Sequence, residues 1–174
     1  MALAEAIGRC IGHAGPLTGL ANTAPVRDLR VLQINKILGL DAVLAALPRH
    51  RLASHPAIDI VALDFPDAAF DLVVHSDTLE HVVAPRHALA ECRRVLAPGG
   101  FCCFTVPVVV GRMSRSRAGL PTSYHGAPGI ELEDFRVHTE FGADVWTYVL
   151  EAGFSACELV ALEYPGGLAI RAQR

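Results

Sequence analysis

Phe65-Pro66-Asp67-Ala68-Ala69-Phe70-Asp71-Leu72-Val73-Val74-His75-Ser76-Asp77-Thr78-Leu79-Glu80-His81-Val82 is the stretch on which the fold turns. It opens with turn chemistry, because Asp64-Phe65-Pro66-Asp67 combines a proline with two residues that bond their own backbone. Phe70–His75 then runs nearly uninterrupted in apolar character, as a parallel strand covered on both faces does. Just downstream, Pro85 suits the first turn of a helix. Leu89, Cys92, Val95 and Leu96 give that helix one apolar stripe. Pro98-Gly99-Gly100 ends it, and Phe101–Val106 is a second strand. Strand, helix and strand in this order make a parallel crossover unit.

The pattern extends both ways. Upstream, Leu29–Ile34 is a strand ending at Asn35, and Leu40–Leu47 is a helix closed by Pro48, which lacks the needed N–H. His50–Ser54 and Ile58–Leu63 read as two more short strands. Residues 1–28 lack strong periodicity and read as an N-terminal extension, a short helix and then a loop. Downstream, residues 107–140 form a long polar insert. Asp144 is placed to cap a helix carrying Val145, Trp146, Val149 and Leu150, which Gly153 ends. Ser155–Tyr164 and Leu168–Arg171 are two final strands joined by Pro165–Gly167. The order predicts a mostly parallel α/β sheet with an antiparallel edge hairpin, in one domain over 1–174.

Composition narrows the function classes. The chain has 174 residues, 52% hydrophobic, with a net charge of −3, enough for one domain with a real core. No basic patch points to nucleic acid, and the small cluster Arg112, Arg115 and Arg117 reads as a solvated loop. Every apolar run falls short of the roughly 20 residues a membrane span needs, so no membrane partner is expected. Met1–Cys10 lacks a basic region before an apolar run, so a cytoplasmic location is expected. The five cysteines are an odd number and read as reduced core thiols, with Cys102 and Cys103 on opposite faces of their strand. Cys10-x-x-His13 has no partner pair at zinc-binding spacing, and no motif unites His75, His81, His125 and His138, so no metal is expected.

Beyond the opening stretch, Ala90-Glu91-Cys92-Arg93-Arg94-Val95-Leu96-Ala97-Pro98-Gly99-Gly100 leads into Phe104-Thr105-Val106-Pro107. Together these residues resemble the class I S-adenosylmethionine (SAM)-dependent methyltransferases of the type 11 group. That group carries a PF-D-x-x-FD turn and strand, then LEH, then a helix ending RVL-x-PGG. The match runs without a gap over residues 63–107 and continues more loosely to Phe154. It implies a Rossmann-like sheet with helices on both faces, SAM as cofactor, and a small molecule methylated on oxygen or nitrogen. In open α/β sheets ligands sit beyond the C-terminal strand ends, so Ser76–Glu80 should line the crevice. The resemblance puts Ser76, Asp77 and Leu79 beside the methionine part of the cofactor and Asp59 near the adenine amino group. His81, with Glu80, would begin the next helix and either order the loop or act in catalysis.

Two departures from the family bear on function. Val31-Leu32-Gln33-Ile34-Asn35-Lys36-Ile37-Leu38-Gly39 stands where the family has an acid followed by Gly-x-Gly-x-Gly. Gln33 replaces the acid, Asn35 and Ile37 occupy two glycine positions, and Gly39 alone remains. Glycine there admits positive φ and close approach of the backbone; asparagine tolerates that conformation and isoleucine does not. If the chain is active, Gln33, Asn35 and Gly39 contact the cofactor. The N-terminal half is also shortened, and His50–Pro56 holds no acid for the ribose hydroxyls.

Two readings follow: a methyltransferase with an unusual cofactor loop, or a methyltransferase-like chain without SAM chemistry that binds another small ligand or regulates a partner. In the second, Ile37 and Leu38 would close the pocket. An NAD(P) oxidoreductase would want Gly-x-Gly-x-x-Gly after the first strand, which is absent. The insert favours the enzyme. His138 matches a histidine common in related methyltransferases, and near pH 7 it can take a proton from the nucleophile. Tyr124, His125, Asp134 and Glu140 would assist on the substrate side. A shortened front also suggests pairing into a homodimer.

Overall fold

The computed structural model describes residues 1–18, 24–125, 132–163 and 167–174. In chain order these contain α1 (Ala2–Cys10), α2 (Ala24–Arg27), β1 (Val31–Ile34), α3 (Asp41–Ala45), β2 (His50–Ala53), β3 (Phe70–Ser76), α4 (Pro85–Val95) and β4 (Leu96–Thr105). There follow β5 (Val108–Val109), β6 (Arg115–Ser116), β7 (Thr139–Gly142), α5 (Val145–Glu151), β8 (Ala156–Leu162) and β9 (Gly167–Gln173).

The main sheet has the order β2-β1-β3-β4-β9-β8. Its first four strands run parallel, and β9 and β8 add an antiparallel edge. This is the Rossmann-like arrangement the sequence predicts. Alternation along each strand divides the interior into two cores. Leu32, Val73, Cys102 and Phe104 face α4 and α5. Val31, Leu72, Val74 and Cys103 face α1 and α3. Adjacent Cys102 and Cys103 therefore lie on opposite faces, as expected, and all five cysteines are free. The N-terminal extension is integral to the second core, because α1 buries Ala2, Leu3, Ala6 and Ile7 there.

Two arginines explain the motif spacing. Arg30 grips Asp71 with two guanidinium nitrogens, at 2.6 and 3.0 Å, and a third bond reaches the Ala68 carbonyl at 3.0 Å. Beside that guanidinium the Asp71 carboxyl is held below its ordinary value. Arg94 donates to Asp67 and to the carbonyls of Phe65 and Leu63, each at 2.8 Å. The helix thus fixes the turn that precedes β3, and Ala68 is held there at φ 57°. Gly100 is required by close approach, since a Cβ would lie 2.9 Å from the Asp71 carbonyl oxygen.

Several expectations need correction. Ile58–Leu63 is no strand: Ile60 and Leu63 are buried, but Asp59 accepts the Val61 N–H at 3.0 Å and bends the chain into a turn. Glu80 and His81 lie in a single 3₁₀ turn, Leu79–His81, and the helix starts only at Pro85. Asp144 does stand at the N-cap of α5 but makes no side-chain cap bond; its carboxylate instead accepts the Ser114 N–H at 2.6 Å. The insert contains a second sheet, β5-β7-β6. Its arginines remain partly solvated and also converge on one acid, since Arg112 and Arg115 reach Glu140 at 2.5 and 2.7 Å and Arg117 also pairs with it. Of the predicted Pro165–Gly167 turn, residues 165 and 166 lie outside the described residues.

Candidate cofactor and substrate cleft

β1 and β3 pair in register, with Ile34 opposite His75. Their chain ends therefore emerge together at one rim of the sheet, and a cleft of about 960 Å³ opens there. That is near the upper end of small-molecule sites, which run to about 1,000 Å³.

The loop after β1 forms one wall. Asn35 adopts φ 61°, the left-handed conformation that glycine supplies in the family pattern. Its side-chain oxygen accepts the His55 N–H at 3.0 Å, and its backbone N–H donates to Ala53 at 2.8 Å. Ile37 does not take positive φ; the loop follows another path and tucks Ile37 into the core at 5% exposure. Gly39 sits further along at φ 82° and, like Gln33, does not line the cleft.

Gln33 lies beneath this loop. Alternation puts it on the Val31 face, and it is fully buried. Its amide donates to Asp41 at 2.6 Å and to the Asn35 carbonyl at 2.9 Å, while its oxygen meets His50 Nε2 at 2.9 Å. Asp41 also accepts the Ile37 N–H at 2.8 Å, and this backbone donor, with Gln33, lowers its carboxyl pKa. Asp41 is thus the brace of the loop. In the sequence its one signal is an acid opening a short helix.

The opposite wall is the turn after β3. Ser76 bridges Asp77 at 2.8 Å and Thr105 at 2.7 Å. Asp77 sits at φ 46°, with its N–H on the Thr105 carbonyl at 3.0 Å. Ser76, Asp77 and Asp59 all line the cleft, whereas Leu79 is buried in the core. No acid comes from β2, yet Asp134 of the insert lines the cleft and lies 3.6 Å from His55.

The insert forms the roof. The His138 N–H donates to the Glu80 carbonyl at 2.7 Å, and His138 is among the residues lining the cleft. His81 Nδ1 bonds the Arg136 carbonyl at 3.0 Å, so it ties the insert to the 3₁₀ turn. His125 lies above it, ring centroids 5.8 Å apart, with Nδ1 on buried Glu80 at 2.9 Å. His81 and His125 both face the cleft. Tyr124 instead pairs with Arg136 by a backbone bridge, and Glu140 is taken up by its three arginines away from the cleft. Among the described residues no hydrogen bond engages the His138 ring. Cys10 and His13 form no site together, since the thiol bonds Ala6 and the ring bonds Pro16.

Fold and cleft together define a Rossmann-like α/β protein with its ligand site beyond the C-terminal ends of parallel strands. Residues 17–104, just over half of the chain, match the methyltransferase domain family. The chain belongs to the SAM-dependent methyltransferases. It is 31% identical over 149 residues to a Mycolicibacterium smegmatis protein named a probable S-adenosylmethionine-dependent methyltransferase. The match covers 82% of this chain and 52% of that protein, so the chain spans about half the length of this relative. Two solved SAM-dependent methyltransferases share the fold. The one from Methanosarcina mazei has a TM-score of 0.52 at 16% identity, covering 85% of this chain and 93% of that one. The one from Mesorhizobium loti has a TM-score of 0.52 at 15% identity, covering 91% and 100%.

The cleft fits the family's cofactor. Leu38 is wholly exposed and does not plug it, Asn35 gives the turn its left-handed residue, and both walls carry polar groups at the strand ends.

Proposed function

We propose that the chain is a SAM-dependent methyltransferase acting on an oxygen or nitrogen nucleophile of a small molecule. One observation carries this reading: a single open cleft joins the cofactor-side residues Asn35, Asp59, Ser76 and Asp77 to His125 and His138 of the insert. SAM, when bound, supplies a methyl group on an electrophilic sulfonium. The work left to the protein is to hold the nucleophile in line and remove its proton. Asn35 and Asp59 would hold the adenosine side, and Ser76 and Asp77 the methionine side. His138 is the base, since it lines the cleft and no hydrogen bond engages its ring among the described residues. His81 is a positioning residue, because its bond to Arg136 holds the insert over the cleft. The open cleft argues against a purely regulatory module, in which Ile37 and Leu38 would fill it.

The reading is tested by incubating the purified chain with labelled SAM and a panel of phenols, hydroxy acids and amines. Label transfer to an acceptor that is abolished in His138→Ala supports it. Transfer that His138→Ala leaves intact would remove His138 from the role of base.

A further inference from the structure

One carboxylate oxygen at the cleft edge is flanked by two imidazoles. Glu80 Oε1 lies 2.9 Å from His125 Nδ1 and 3.8 Å from His81 Nε2. One ligand atom from each of Glu80, His81 and His125 lies within 4.8 Å of the other two. Ion–ligand bonds of about 2.1 Å at tetrahedral or octahedral angles set neighbouring ligand atoms about 3.0–3.4 Å apart. The two distances to Glu80 bracket that range.

Three further observations point the same way. Glu80 is buried at 2% exposure, and its Oε2 has no hydrogen-bond partner among the described residues. A buried carboxylate oxygen left so is costly unless a cation or donor meets it. The Arg136 carbonyl can only accept, so His81 Nδ1 carries a proton and, in the neutral ring, Nε2 keeps its lone pair toward Glu80; His125 Nδ1, now bonded to Glu80, would release its proton as the ion binds. Metal-binding histidines are oriented by this kind of bond from the far ring nitrogen to a backbone carbonyl. Finally, His81 and His125 line the cleft, so the side away from Glu80 is open to a ligand.

We infer that Glu80, His81 and His125 form a binding site for a divalent first-row transition ion, with its free positions facing the cleft. Two imidazoles and one carboxylate suit zinc, cobalt, manganese or iron(II) and are a poor set for magnesium or calcium, which take oxygen ligands. The ion site stands on its own geometry. Its use, to hold a substrate oxygen and ease its deprotonation beside His138, rests on the methyltransferase reading.

The test uses the whole chain, stripped with EDTA and titrated with cobalt(II) by visible absorption and calorimetry. One ion per chain is expected, displaced by zinc. His125→Ala and Glu80→Gln should each weaken binding by at least ~100-fold, and His13→Ala, outside the cleft, should not change it. His125 is partly exposed, so its variant keeps the test valid if Glu80→Gln fails to fold. No saturable binding, or equal affinity in His125→Ala, overturns the site. A parallel titration of the stripped chain with SAM separates the two readings. Cobalt binding without SAM binding would leave the ion site standing and remove methyl transfer.

Discussion

Asn35 accepts the backbone N–H of His55 at 3.0 Å while its own backbone holds φ 61°. The residue therefore does two things at the cleft wall. It makes the left-handed turn that the family assigns to glycine, and it fixes the segment after β2 against that turn. Asn35→Gly should keep the turn and lose the clamp, leaving cofactor binding present but weaker. Asn35→Val should cost about 1–3 kcal/mol, because a β-branched residue is forced into positive φ. Thermal melts with and without SAM check both; a valine variant with unchanged melting and binding would show that the turn is not required.

Restoring the family's acid should harm this chain. Gln33→Glu would put a carboxylate, fully buried, where the amide now donates to Asp41 at 2.6 Å. Two carboxylates would meet and the hydrogen bond would be lost, so stability should fall by about 2 kcal/mol or more at pH 7. The loss should shrink at acid pH as one of them protonates. Denaturant unfolding at two pH values measures it.

His138→Ala should lower kcat by about 10²–10⁴-fold, the usual worth of a positioned base, while SAM affinity stays unchanged. The loss should be smaller for acceptors that are already ionised. A similar fall in SAM affinity would instead mark His138 as part of the cofactor site.

His75 gives the chain an acid limit. It is fully buried, stacks on Phe104 at 4.8 Å, and neither ring nitrogen finds a partner among the described residues. Burial pushes its pKa from 6.5 down to about 3. Between those values the unfolded chain binds the extra proton, so stability falls as pH drops below 6.5. The slope approaches about 1.4 kcal/mol per pH unit and levels off near pH 3. His75→Leu should flatten that part of the curve. An unchanged acid slope in this variant would place the limit elsewhere.

The parts of the fold legible in the sequence are those that motif residues hold directly. Asp71 and Arg94 each serve as a hub, with bonds to Arg30 in one case and to the 63–67 turn in the other, so their spacing carries structure. The Ile58–Leu63 run misled because burial of Ile60 and Leu63 comes from packing under a turn, not from strand pairing. The insert's strands β5 and β6 have two residues each, too few to show a period. On the site, Asn35, Asp59, Ser76, Asp77, His81, His125 and His138 line one cleft. Gln33, Leu79, Tyr124 and Glu140 lie outside it, since strand alternation, core burial or pairing within the insert turns each away, and Gly39 lies on the exposed loop beyond it. Asp41 shows in the sequence only as an acid opening a short helix, and the contact of Glu80 with His125 spans 45 residues, which no local pattern announces.

The proposed function requires that this glycine-poor loop still make a working SAM site. The most direct measurement is a calorimetric titration of the purified chain with SAM and with its demethylated product. One saturable site per chain in the micromolar range is expected, with a matching rise in melting temperature, both lost in Asn35→Val. No heat and no thermal stabilisation at millimolar ligand would contradict the account.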